Sequence, residues 1–295
     1  MGNPLQRNHL RMTRDARFQP RKKYPDDHWI RSGNHEKALQ AYLEQQGKAY
    51  SRIKNAFIIE LLGNIHHKRF LDYGCGPGMF LGYAAKAGAS LIVGTDIEET
   101  VLSTARYFAE KQGIADACAF LISDQFPSFS SEARFDAILL KDVIEHVEDD
   151  QSLLNAAAKA IAPDGIIVVS TQNALSLNYL IEGGYQRIIR GTRDWYGWDP
   201  THLRFYTPQK LTKKLQLAGL KCIGWRSIYI IPHKIPAPLS SGKRFYRIEL
   251  LARIDSLLGR FFPWNRAGWN IIVKAIKEPV FHINCPDPAF PLSIC

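Results

Sequence analysis

The 295-residue sequence has no run of about 18 or more apolar residues, the length a membrane-spanning helix requires, so no such helix is expected. Its first residues are polar and basic without an apolar core, so no secretory signal is expected either. Cysteine is sparse. Five residues, an odd number with no C-x-x-C pair, predict reduced thiols and a cytoplasmic setting rather than a disulfide framework. No H-E-x-x-H or other metal-ligand spacing occurs, so no metal site is expected. A G-x-S-x-G elbow, a Walker loop, internal repeats and low-complexity segments are also lacking. Acidic residues are outnumbered, 28 against 38 basic, for a formal net charge of +10. That balance favours acidic partners: phosphorylated or carboxylated substrates, an anionic membrane surface, or nucleic acid.

What is present is organised around Arg69-Phe-Leu-Asp-Tyr-Gly-Cys-Gly-Pro-Gly-Met-Phe80. A short apolar run, Phe70-Leu71, predicts the end of a buried strand. Asp72 follows, then a turn with Gly74, Gly76 and Gly78, then a helix from Met79 to Ala87. Strand, glycine turn and helix bring backbone amides and a helix N-terminus up to a ligand. The spacing is G-x-G-x-G rather than the dinucleotide G-x-G-x-x-G, and Met79 stands where the third glycine would fall. Asp72 would repel a pyrophosphate but not a ligand carrying an ammonium group, which counts against an NAD-dependent oxidoreductase. Cys75 reads as a small tolerated side chain rather than a nucleophile.

Further strands are predicted at Ser90–Asp96, Cys118–Ile122, Arg134–Leu140, Ile166–Ser170, Leu220–Ile231 and Gly268–Lys277. Helices are predicted over Glu98–Lys111 and Pro208–Ala218, and Ala-Pro163-Asp164-Gly165 reads as a helix stop and tight turn. Alternating strands and helices imply a mostly parallel, doubly wound sheet. Asp96, about 20 residues beyond the glycine loop, stands where a ribose-binding carboxylate belongs; the alternative is an N-cap for the next helix. Helical periodicity from Leu39 to Leu61 predicts helices that roof a ligand pocket or cap the sheet.

These motifs together resemble class I S-adenosylmethionine-dependent methyltransferases, and Lys141-Asp-Val-Ile-Glu-His-Val147 is similar to the segment after the fourth strand in the quinone and small-molecule O-methyltransferases. The resemblance covers roughly residues 57–231, with 268–277 completing the sheet. It implies a Rossmann-like α/β fold of seven strands, helices on both faces, the last strand antiparallel. It also implies that Asp72, Gly74, Cys75, Gly76 and Gly78 surround the methionine part of S-adenosylmethionine. Asp96 would hold the ribose, Ile97 cover the adenine, Asp124 bind the adenine edge (unless it is a turn aspartate), and the Lys141 carbonyl meet the cofactor ammonium.

The implied reaction is in-line methyl transfer to a hydroxyl on a small molecule, sugar or lipid-linked precursor, for which alignment supplies much of the rate. A base beside the acceptor helps. His146 is the first candidate, with a helix-start residue as its alternative; Glu145 and His202, in Thr201-His-Leu-Arg-Phe-Tyr206, follow. The alternatives are an RNA or protein methyltransferase and a catalytically inactive binding module. The Asn/Asp-Pro-Pro-aromatic tetrapeptide of base-methylating enzymes is missing, so nucleic acid is the weaker partner. Two segments flank the expected domain at 35–277 and two additions lie within it. Residues 1–34 read as a flexible basic arm and 278–295 as an irregular tail. Residues 172–200 form an aromatic and arginine-rich insertion, and 243–262 an amphipathic helix expected to dock on the core or face a membrane. Peripheral association with the inner face of a membrane is the localisation these additions suggest.

Overall fold

A computed structural model describes residues 33–123, 134–193, 195, 197, 199, 201–236 and 245–278. Most of the basic arm and of the tail, together with Asp124, Tyr196 and Trp198, lies outside the described residues. Two helices lead in, α1 (His35–Gly47) and α2 (Ala49–Leu62). Asn34 starts α1 by accepting a hydrogen bond from the Lys37 amide at 3.0 Å. Then strands and helices alternate: β1 (Arg69–Tyr73), α3 (Met79–Lys86), β2 (Leu91–Asp96), α4 (Glu99–Lys111), β3 (Cys118–Ile122), β4 (Phe135–Lys141), α5 (Asp150–Ala160), β5 (Ile161–Gln172) and α6 (Leu177–Gly184). After α7 (Pro208–Leu217) and β6 (Leu220–Ile228) come a short hairpin, β7 (Lys234–Pro236) and β8 (Phe245–Arg247), then α8 (Glu249–Leu258) and β9 (Asn270–Lys277).

Seven strands form one sheet in the order β3-β2-β1-β4-β5-β9-β6. All pairs are parallel except those made by β9, which runs antiparallel to both β5 and β6. The expected fold is therefore the observed one, including the inserted antiparallel strand. Side chains alternate across the strands. Leu71, Tyr73, Ile138 and Leu140 pack on one face with Leu154 and Ala157 of α5 and Leu211 and Leu215 of α7. Phe70, Ile92 and Leu139 pack on the other with Phe57, Ile58 and Leu61 of α2, Phe80 and Leu81 of α3 and Leu102 of α4. The strand order reverses between β1 and β4, which opens a crevice beyond their carboxyl ends.

Two expectations are corrected. Ala162-Pro163-Asp164-Gly165 does stop α5, which ends at Ala160, but the turn lies within β5, as a bulge: β5 starts at Ile161 and advances five residues, to Ile166, while β4 advances two, from Phe135 to Ala137. Residues 243–262 are not one helix. Residues 245–247 pair with 234–236, and α8 begins only at Glu249 because the Ile248 amide turns to the His233 carbonyl at 3.0 Å. The apolar stripe of that segment docks only in part, with Ile248, Leu251 and Leu258 half-buried. Leu257 and Phe261 are 59% and 58% exposed, whereas Ala252 and Asp255 are the residues α8 buries.

Candidate active site

The turn after β1 carries the first part of the site. Gly74 and Gly76 have φ of 73° and 53°, a region that favours glycine. A Cβ on Gly74 would stand 2.6 Å from Val143, so the bare backbone lets this turn close on the loop after β4. At Gly76 a Cβ would meet nothing within 4 Å, so its outer side is open. The Gly76 amide donates to Asp96 Oδ2 at 3.1 Å, and Asp96 Oδ1 accepts from the Ile97 and Glu98 amides at 2.8 and 3.2 Å. Asp96 is thus fixed at the carboxyl end of β2 rather than serving as the N-cap of α4, which is Glu98. Burial pushes its carboxyl up while those amides pull it down. Asp72, 2% exposed, is driven by burial up to about 7, with Lys141 opposing and Asp96 reinforcing. Burial, then Asp72 and Asp96, also push the Cys75 thiol well up, so it stands as a neutral small side chain. Gly78, with φ of 85°, caps α3, and Ile97 leaves its side chain 46% exposed beside Asp96.

Across the crevice, the end of β4 carries the second part. Lys141 lays its ammonium near the Phe80 ring, 5.8 Å from the centroid. Asp142, at φ 54°, pairs with Lys54 of α2 and accepts from Ser170 Oγ and Asn270 Nδ2, each at 3.1 Å. Against the effect of burial, Lys54 and Lys141 hold Asp142 well below the usual carboxylate range. Glu145 is fully buried, and its Oε2 accepts from Thr171 Oγ1 at 2.8 Å. Burial, then the Asp142 carboxylate, push Glu145 up to about 8. His146 belongs to a turn, its amide on the Val143 carbonyl at 2.9 Å, and α5 starts later with Asp149 as its cap; the helix-start alternative is thereby corrected. Its Nδ1 lies 3.3 Å from the Thr201 carbonyl oxygen. The His146 and His202 rings meet edge to face at 4.7 Å. Burial and His146 lower His202 to about 4, which keeps that imidazole neutral near pH 7.

The sequence-predicted residues thus form two groups. Asp72, Gly74, Cys75, Gly76, Gly78, Asp96 and Ile97 surround the glycine turn, with Lys141 facing them. Glu145, His146 and His202 cluster beyond β4. Asp124 lies outside the described residues. Sequence reasoning gave no role to Lys54, Asp142 or Asn270. The signal for Lys54 was there: it lies on the face of α2 that buries Phe57, Ile58 and Leu61, where a lysine needs a partner. Also missed was a His233–Asp255 pair, Nε2 to Oδ2 at 2.9 Å, in which Asp255 also accepts from the amides of Tyr229, Ile230 and Ile231.

A cavity of about 440 Å³ adjoins this region, lined by Tyr50, Tyr229, His233 and Trp269 among others. Its size is that of a small-molecule pocket. Tyr50 joins cavity and site: the Lys54 ammonium lies 6.0 Å from its ring centroid, and burial, then Asp142 and Glu145, push its hydroxyl well up. Helices α1 and α2 roof the turn, with Tyr42 buried and Asn55 Nδ2 3.1 Å from Met79 Sδ.

A family model described as a methyltransferase domain matches residues 42–224. The ubiquinone biosynthesis O-methyltransferase of Neisseria meningitidis is 32% identical over 158 residues, which are 52% of this chain and 63% of that protein. The match therefore spans less than two thirds of that relative's length. Among solved structures, an S-adenosylmethionine-dependent methyltransferase from Mesorhizobium loti aligns with TM-score 0.52 and 18% identity, over 78% of this chain and 98% of its own. Magnesium protoporphyrin IX methyltransferase from Synechocystis, solved with S-adenosylhomocysteine bound, aligns with TM-score 0.52 and 16% identity over 83% and 96%. At these identities the two structures establish likeness of fold.

Proposed function

The chain belongs to the methyltransferase-domain family, and from that premise we propose that it transfers a methyl group from S-adenosylmethionine to a hydroxyl of a small molecule. The observation that carries the reading is Asp96: an acid at the end of β2, tied to the Gly76 amide, with an open glycine turn beside it and an exposed Ile97 next in sequence. These residues fit the cofactor. Asp96 retains acceptor capacity for ribose hydroxyls, Ile97 offers an apolar surface to the adenine, and Asp72 offers a carboxyl to the ammonium. When bound, the cofactor supplies an electrophilic methyl on a sulfonium, so no residue is needed to activate the donor.

The chain's own residues do the rest. The α1–α2 roof excludes water, and the cavity beside Tyr50 holds the acceptor so that its oxygen is aligned, the main requirement of such a displacement. His146, more exposed than Glu145, takes the hydroxyl proton, while His202 packs its ring in place. The relative's name, a ubiquinone biosynthesis O-methyltransferase, supports a hydroxyl acceptor. Exposed apolar side chains on α6 and α8, with Arg190, Arg193 and Arg253 nearby in sequence and exposed, support an acceptor with an apolar tail met at an anionic membrane surface.

Equilibrium dialysis with labelled S-adenosylmethionine tests the cofactor assignment. Asp96→Ala is expected to weaken binding about 10- to 100-fold, the loss of hydrogen bonds to a charged group. An unchanged dissociation constant would remove Asp96 from the site, and no binding by the wild type would leave a methyltransferase-fold binding module.

A further inference from the structure

The match to the methyltransferase family model ends at residue 224, and the chain beyond it builds one wall of the cavity. Tyr229, His233 and Trp269 belong to that wall, and Tyr50 of α2 meets the Tyr229 ring edge to face at 5.8 Å. Tyr229 stands at φ 64°, a left-handed conformation that a bulky residue adopts only when its surroundings impose it. Three hydrogen bonds impose it here. The Tyr229 amide donates to Asp255 at 2.8 Å, and its carbonyl accepts from Asn178 Nδ2 at 2.7 Å and from the Trp269 amide at 3.3 Å. Backbone strain held in this way clusters at ligand sites. Its product is a Tyr229 ring packed edge to face on His233 at 5.0 Å, both lining the same space.

Asp255 also decides which end of the His233 ring is left for a ligand. Its side chain has no exposure. Oδ1 accepts from the Ile230 and Ile231 amides at 2.7 and 2.9 Å, and Oδ2 from the Tyr229 amide. His233 Nε2 lies 2.9 Å from the same Oδ2. A carboxylate only accepts, so Nε2 carries the hydrogen and, in the neutral ring, Nδ1 is an acceptor. Among the described residues Nδ1 has no hydrogen-bond partner. His233 is therefore fixed at one nitrogen and offers a lone pair at the other, on a side chain 7% exposed in an aromatic-walled cavity.

We propose that His233 is a specificity-determining contact. Its Nδ1 accepts a hydrogen bond from a hydroxyl or N–H of a planar aromatic molecule held among Tyr50, Tyr229 and Trp269, at a position other than the oxygen that is methylated. The separation of the two positions follows from the order of contacts. Asp142, at the end of β4, pairs with Lys54, whose ammonium lies 6.0 Å from the Tyr50 centroid; Tyr50 meets Tyr229, and Tyr229 meets His233. A lysine and two rings thus stand between the crevice and His233, which meets a different part of the ligand from the oxygen beside His146. A buried acceptor left unpaired is costly, so a site of this kind rejects an analogue that lacks the donor. Asp255 acts through His233 as a positioning residue, holding the tautomer and the ring. That the aromatic ligand is the methyl acceptor rests on the methyl-transfer reading; occupancy of the cavity does not depend on it.

The test is equilibrium dialysis against β-naphthol and against its methyl ether, which lacks the donor, with S-adenosylhomocysteine dialysed in parallel. The wild type should bind β-naphthol about tenfold more tightly than the ether, the worth of one hydrogen bond to a buried acceptor. His233→Phe, which keeps a ring without the acceptor, should erase that preference, with circular dichroism verifying the fold. Ser51→Trp, which fills the cavity from α2, should abolish binding of both probes. Heteronuclear NMR of the wild-type histidine rings needs no variant: His233 Nδ1 should carry no proton, and its resonance should move with β-naphthol but not with the ether. Equal affinity for the two probes, a preference that survives His233→Phe, β-naphthol binding that survives Ser51→Trp, or a protonated or unresponsive His233 Nδ1 overturns the proposal. S-adenosylhomocysteine binding that persists in that case leaves the methyl-transfer reading intact. Its absence alongside a His233-dependent preference removes that reading and leaves the aromatic site.

Discussion

A single carboxyl, Asp72, is placed so that its ionisation reports on the ligand. Burial raises it to about 7, above the unfolded value of about 3.9. The stability it contributes is therefore full below about pH 4 and is lost as pH rises through about 7. Stability of Asp72→Asn relative to wild type should climb across that window, as followed by thermal melts at successive pH values. A cationic ligand beside the carboxyl favours its ionised form. Binding S-adenosylhomocysteine, which keeps the ammonium, should then release a proton below about pH 7, read by calorimetry in two buffers of different ionisation enthalpy. Heats that do not depend on the buffer would place Asp72 away from the ammonium. At this scale the glycine turn and Asp96 were legible in the sequence because local chemistry marks them: glycines where φ is positive, an acid closing a buried strand. Asp142 and Asn270 were not, since their meaning lies in a pairing across 128 residues. The Glu145–His146–His202 cluster was hidden likewise, its third member falling on a different loop.

Among the elements, α6 and the segment around α8 depart most from what periodicity suggests. Along α6 and the π-helical turn that continues it, Leu177, Ile181, Ile188 and Ile189 are 59–80% exposed, while Tyr179 and Gly183 face inward. Both elements are anchored on Tyr229: Asn178 of α6 donates to its carbonyl at 2.7 Å, and Asp255 of α8 accepts from its amide at 2.8 Å. An amphipathic stripe predicts which residues share a face of a helix. It does not say whether that face meets the core, and in α8 the buried position went to an acid that satisfies three backbone amides. If the exposed faces rest on an anionic bilayer, Ile181→Ser/Ile188→Ser should reduce co-sedimentation with phosphatidylserine-containing vesicles at least about 10-fold, the worth of withdrawing one or more buried isoleucines. The melting temperature should not move, because neither side chain is packed. Vesicle binding equal to wild type would leave the apolar face to some other partner.

For the whole molecule, strand order could be anticipated from the alternation of β and α, but not what ties the ends of the chain to its middle. Because β9 runs antiparallel, its first residue, Asn270, arrives at the same sheet edge as the last residues of β4. There the side chains of residues 54, 142 and 270 meet, joining the entry helices, the fourth strand and the last. The Lys54 side chain is 5% exposed and that of Asp142 28%, so the pair is only partly screened by water. Removing the lysine strands a carboxylate that sits at a left-handed φ and keeps only its Ser170 and Asn270 donors. Lys54→Met should therefore cost about 3 kcal/mol, the low end for a broken buried pair, out of a total that for most domains is about 5–15 kcal/mol. Lys54→Met/Asp142→Asn should recover part of that loss, because the uncompensated charge goes with its partner. Asp142 is held below its unfolded value, so the pair's contribution is present above about pH 4 and fades as pH falls further. Urea titrations of the wild type, both single variants and the double variant at pH 7 and pH 3 measure the coupling directly. A double variant no more stable than Lys54→Met, or a lysine effect undiminished in acid, would show that the three segments are held together by packing alone.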